Sequence, residues 1–216
     1  MTIKAACRIF ILFSCFSFAA GSFAQADTVR IVGFGDSLMA GYELAPSDAF
    51  PSKLEAALKA EGYDVAISNA GVSGDTSTGG LARINWSVPE GTDAVLLQLG
   101  ANDALRGLSP ENTRQNLDAM IAGLQKRGIA VLLVGMLAPP NMGDDYAERF
   151  NTIYPELAEA RAVPLYPFFL DGVAAQSGLD IGDGMHPNPK GVDIMVARFL
   201  PYAEDLIASI NGQTSQ

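Results

Sequence analysis

The chain has 216 residues, 49% of them apolar and 18% charged, with 24 acidic against 14 basic side chains and a net charge of −10. That balance is globular and excludes a disordered or collagen-like chain. A surface so acidic repels phosphate backbones and anionic membranes, which argues against nucleic acid as a partner.

Lys4 and Arg8 introduce an apolar run from Ile9 to Ala20, shorter than the ~20 residues that span a bilayer. Ala24-Gln25-Ala26 follows as a small-x-small cleavage pattern. Residues 1–26 therefore read as a signal peptide, and 27–216 as one exported domain, periplasmic or secreted, with no membrane anchor once the leader is cut. Cys15 does not make this a lipoprotein signal, because bulky Phe13 stands where such signals need a small residue. Cutting the leader removes both cysteines, Cys7 and Cys15, and takes the net charge from −10 to −12. With no thiol and one histidine, a thiolate or histidine-rich zinc site is excluded, and neither metal nor cofactor is expected. Nothing points to a partner protein, so a monomer is the expectation.

Val29 to Phe34 is a short apolar run rich in β-branched residues and predicts a buried strand. Ser47 or Asp48 can cap a helix running to Glu61, with Leu54, Ala57 and Leu58 on one face and Gly62 as its stop. Val65 to Ser68 predicts a second strand and Ala94 to Leu99, bounded by glycines, a third. Ser109-Pro110 starts a helix in which Leu117, Met120, Ile121 and Leu124 recur at helical spacing until Gly128. Ile129 to Val134 is the fourth strand, Asp144 to Arg161 a third helical stripe through Phe150, Tyr154 and Leu157, and Val163 to Tyr166 the fifth strand. The last helix carries Val192, Met195, Val196, Phe199, Leu200, Leu206, Ile207 and Ile210 on one face, with Pro201 as the expected kink. Strands alternating with helices predict a three-layer α/β/α fold, a five-stranded parallel sheet covered on both faces.

In such a sheet the reactive groups belong after the carboxyl ends of the strands. Four polar, glycine-rich segments lie there: Gly35-Asp36-Ser37-Leu38, Ser73-Gly74-Asp75-Thr76, Gly100-Ala101-Asn102-Asp103 and Asp183-Gly184-Met185-His186-Pro187. Taken singly, each has a bland reading: Ser37 as a turn or cap serine, His186 as a satisfied loop histidine, Asn102 as a turn residue, Gly74 as a positive-φ position. Together they supply what acyl transfer needs. Ser37 is the candidate nucleophile, His186 its base, Asp183 three residues upstream the orienter, and the backbone N–H groups of Ser37 and Gly74 with the Asn102 amide the oxyanion donors. Asp36, Asp75 and Asp103 read as structural, because an exposed carboxylate beside an oxyanion opposes the charge that develops there. A neutral His186 is required for base action, so activity should fall as acid protonates it.

These four blocks, in this order and spanning essentially the whole mature chain, resemble those of the SGNH, or GDSL, hydrolases. Longer stretches, Gly35 to Tyr42, Ser73 to Ser77, Gly80-Leu81-Ala82-Arg83 and Pro164 to Phe169, resemble the exported bacterial thioesterases, lysophospholipases and arylesterases within that family. The resemblance implies a flavodoxin-like fold and metal-free hydrolysis of small-molecule acyl esters and thioesters by Ser37, His186 and Asp183, with Ser37, Gly74 and Asn102 as the oxyanion hole. Ala101 departs from the pattern, where a second glycine is common. The segment Ala104 to Leu108 then offers Leu105 and Leu108 as acyl contacts, and Met136 to Met142 with Phe168-Phe169 as apolar wall or, equally, as core.

Four other readings compete. A dinucleotide fingerprint beginning at Gly33-Phe34-Gly35 fails at Leu38, and no acidic residue ends the second strand. An α/β-hydrolase lacks its G-x-S-x-G elbow. A carbohydrate O-deacetylase would use the same groups, and a non-catalytic lipid- or carbohydrate-binding module would need none of them.

Overall fold

The computed structural model describes residues 28–214, so the signal-peptide assignment, with Cys7 and Cys15, lies outside the described residues. Five strands form one parallel sheet: β1 (Val29–Gly35), β2 (Val65–Gly71), β3 (Ala94–Gln98), β4 (Ala130–Val134) and β5 (Leu165–Tyr166), in the order β2-β1-β3-β4-β5. β3 and most of β4 are buried throughout, as a strand covered on both faces must be. β2 departs from the expected cover on both faces: Ala66, Ser68 and Asn69 are exposed because the strand lies at the edge.

Helices α2 (Phe50–Ala60) and α8 (Pro189–Thr214) pack together on one face. On the other, α5 (Pro110–Lys126) lies between α3 (Ser77–Ser87) and α7 (Ile153–Arg161). The apolar stripes expected on α2, α5 and α8 are the buried ones. Leu54 and Leu58, then Leu117, Ile121 and Leu124, then Val192, Met195, Phe199, Leu206 and Ile207 are nearly inaccessible to solvent. Phe199 wedges edge-on against Phe50 and Phe169, with ring centroids 5.1 and 6.4 Å away. α8 runs through Pro201 as one helix.

The start of α2 differs from expectation. Its cap is Ala49, which makes no side-chain cap bond, because Pro46–Asp48 forms a 3-10 turn of its own and Pro51 opens the helix. The stripe from 144 to 161 divides at Thr152 into α6 (Asp144–Asn151) and α7. α3 has no counterpart in the sequence pattern. It presents Gly79 and Gly80 where a helix signal needs apolar residues, and its stability comes from packing on α5 and from Thr76, whose hydroxyl caps Gly79 N–H. Two short helices, α1 (Ser37–Ala40) and α4 (Ala101–Leu105), follow β1 and β3 directly. The chain leaves β1 for β2 on one side and returns to β3 on the other, so the loops after β1 and β3 diverge at a topological switch point.

Candidate active site

Ser37 is the first residue of α1, where the turn from β1 is closed by Asp36 accepting from Leu38 N–H at 3.0 Å. Its hydroxyl is brought to the loop ahead of α8: His186 Nε2 lies 2.8 Å from Ser37 Oγ, and His186 Nδ1 lies 2.5 Å from Asp183 Oδ2. Asp183 Oδ1 accepts two backbone N–H groups, those of Met185 and His186, each at 2.9 Å. The N–H of His186, its ring and the N–H of Met185 hold the Asp183 carboxyl down at about 2. Asp183 is therefore an anion at neutral pH and suits the imidazole tautomer with its proton on Nδ1, in which Nε2 accepts a hydrogen bond from the Ser37 hydroxyl. The ring of Tyr42 leans on the imidazole at 4.7 Å. Asn188 anchors the loop by donating to the carbonyls of Gly178 and Asp180.

Gly74 adopts φ +79°, and a Cβ placed there would meet only the Arg106 guanidinium, at 3.6 Å. The left-handed backbone, rather than crowding, calls for glycine. Arg106 Nη2 donates to the Gly74 carbonyl at 2.8 Å. Asn102, on α4, donates to the carbonyl of Asp75 at 2.9 Å, which ties the loop after β3 to the loop after β2. Leu105 and Leu108, the expected acyl contacts, are exposed. Met136 and Phe169 are core residues, Phe169 stacking edge-on with Phe50 at 4.8 Å, whereas Leu137 is exposed.

The three aspartates beside the site make structural bonds, Asp36 and Asp103 from fully buried positions. Burial pushes the Asp36 carboxyl up to about 6, against the pull of Leu38 N–H and the Gln98 amide. Asp75 pairs with Arg83 at 2.7 Å, and the same guanidinium donates to the carbonyls of Ala70 and Gly35 and sits over the Phe34 ring. Asp103 accepts from the N–H and hydroxyl of Ser77, at 2.8 and 2.5 Å, and from Thr113.

The model of the GDSL-like lipase/acylhydrolase family matches residues 34–194, a span that takes in all four loops. The chain belongs to this family. It is 41% identical over 181 residues to an arylesterase of Vibrio mimicus, covering 83% of this chain and 88% of that one. It is 39% identical over 166 residues to thioesterase 1/protease 1/lysophospholipase L1 of Escherichia coli K12, covering 76% and 77%. The crystal structure of TesA superposes with a TM-score of 0.78 at 37% identity, over 82% of this chain and 99% of that one. Two residues of this GDSL-like site escape a reading of the sequence for chemistry. Arg83 gives no signal of its role, lying in a helix that the pattern does not announce. Gln98 does give one: it is the single polar residue in the run Ala94 to Leu99.

Proposed function

We propose that this chain is a serine hydrolase that cleaves carboxylic esters and thioesters of acyl chains. The observation that carries the reading is the imidazole of His186 lying between Ser37 Oγ and the Asp183 carboxylate. Ser37 Oγ attacks the acyl carbonyl and its proton passes to His186 Nε2, while the carbonyl electron pair becomes an oxyanion. The Ser37 and Gly74 N–H groups and the second N–H of the Asn102 amide are its donors, each worth roughly 3 kcal/mol in well-characterised hydrolases. Collapse breaks the bond to the leaving alkoxide or thiolate, which takes the proton from Nε2. Water then repeats the sequence on the acyl-enzyme. Membership of the GDSL-like family and the names of its arylesterase and thioesterase relatives support this chemistry.

Exposed Leu105 and Leu108 favour an acyl chain longer than acetyl as the bound group, and so an esterase over a carbohydrate O-deacetylase. Rates on p-nitrophenyl esters from acetyl to palmitoyl test both points. Wild type should prefer medium or long chains. Ser37→Ala and His186→Ala should each lose at least about a thousandfold in kcat while remaining folded. Equal rates in wild type and Ser37→Ala would end the serine-hydrolase reading, and an optimum at acetyl would favour the deacetylase.

A further inference from the structure

β3 reads Ala94, Val95, Leu96, Leu97, Gln98, four apolar side chains and one amide, all buried. A buried amide left unpaired costs about 1–3 kcal/mol, so the partners of Gln98 explain its presence. Both ends of the amide are taken by one residue. Gln98 Oε1 accepts from Asp36 N–H at 3.2 Å, and Gln98 Nε2 donates to Asp36 Oδ2 at 3.1 Å. The other carboxylate oxygen, Asp36 Oδ1, accepts from Leu38 N–H and closes the turn around Ser37. Gly35 makes the approach possible, because a Cβ there would stand 2.4 Å from Gln98 Oε1 and 2.6 Å from the Gln98 carbonyl oxygen. Along the chain, Asp36 immediately precedes Ser37, and Gln98 lies four residues before Asn102 at the other side of the switch point.

We propose that Gln98 is a positioning residue: through Asp36 it sets the turn that carries Ser37 against the end of β3, which leads into α4 and Asn102. The proposal rests on Ser37 being the nucleophile. The pairing demands an acceptor at Asp36 Oδ2 and a donor at position 98, in a place where no water competes. The charged and titratable groups facing Asp36 are His186 from the loop before α8, Asp75 from the loop after β2, Tyr154 from α7 and Arg83 from α3, which grips the Gly35 carbonyl.

Two substitutions separate positioning from space-filling. Gln98→Met keeps the volume and removes both hydrogen bonds. It should lower kcat about tenfold or more with KM little changed, since misplacing a nucleophile spares ground-state binding. Gln98→Glu keeps the shape and sets two carboxyls against each other, which then hold one proton between them. While that proton is held, the substituted side chain donates to Asp36 as the amide did. Once base removes it, two anions face each other in the core. Gln98→Glu should therefore keep near wild-type kcat at mildly acid pH and lose activity along an alkaline limb that the wild type lacks.

Kinetics of wild type, both variants and Ser37→Ala across pH, with a melting curve for each, decide the matter. An inactive wild type, or an active Ser37→Ala, defeats the nucleophile reading itself. If Ser37→Ala is dead and Gln98→Met is folded with unchanged kcat, the Gln98 proposal alone is overturned. Should Gln98→Met not fold, the Gln98→Glu profile decides: a new alkaline limb upholds the proposal, and a profile parallel to wild type sinks it.

Discussion

Asp36 shows how one buried carboxyl can be useful to a site and costly to the fold. Because burial lifts it to about 6, the folded protein holds its proton more tightly than the unfolded chain does. Its contribution to stability is thus fully present in acid, below the ordinary carboxyl range, and is lost as pH rises through about 6. Relative to Asp36→Asn, the wild type should gain about 2 kcal/mol as pH is lowered from about 7 to about 4.5. Melting temperatures of the two proteins across that range check the sign, and a constant difference would mean that the carboxyl titrates as if exposed. Asp183 works in the opposite sense. Held at about 2 by its backbone and imidazole partners, it supports the loop above the ordinary carboxyl range and loses that support only as pH falls towards 2.

At the level of elements, α8 covers the end of the sheet with a run of aromatic contacts, and one of them carries an unmet polar group. The ring of Tyr166 packs on Phe199 and Tyr202, at 4.7 and 4.9 Å, yet its hydroxyl is buried without a hydrogen-bond partner and its pKa is pushed up to about 12, chiefly by burial. Tyr166→Phe should keep the packing and stabilise the protein by about 1 kcal/mol, read as a higher denaturant midpoint with an unchanged slope. A lower midpoint would reveal that the hydroxyl is satisfied in solution. Elements are legible in the sequence where side chains alone decide them. The periodic stripes of α5 and α8, the apolar run of β4 and the nearly apolar run of β3 need no tertiary information. α3 is illegible because Thr78, Gly79 and Gly80 are poor helix formers overridden by packing, and the Thr152 break because both halves share one apolar stripe.

For the molecule as a whole, parallel strands and the switch in strand order place the loops of Ser37 and Asn102 side by side, so chain order alone puts the polar blocks at one edge. What chain order cannot convey is the traffic beneath that edge: Gln98 on Asp36, Arg83 on Asp75 and the ends of β1 and β2, Ser77 on Asp103. Those bonds depend on register between strands and on helix rotation, neither of which leaves a mark in local sequence. Among the described residues no helix is long and apolar enough to cross a membrane. If residues 1–26 are a cleaved leader, the protein recovered after export should begin at Asp27, and intact mass should show the loss of both cysteines. A mass retaining Met1 or Cys15 would refute that cleavage.

His186 is the one imidazole in the sequence, and both of its nitrogens are engaged at the site. Histidine labelled with nitrogen-15 would therefore give ring resonances from a single residue, with no assignment problem and no background. The two nitrogen shifts report separately on the bond to Asp183 and the bond to Ser37, so the proton's place could be followed from resting enzyme to covalent inhibitor adduct in one spectrum each.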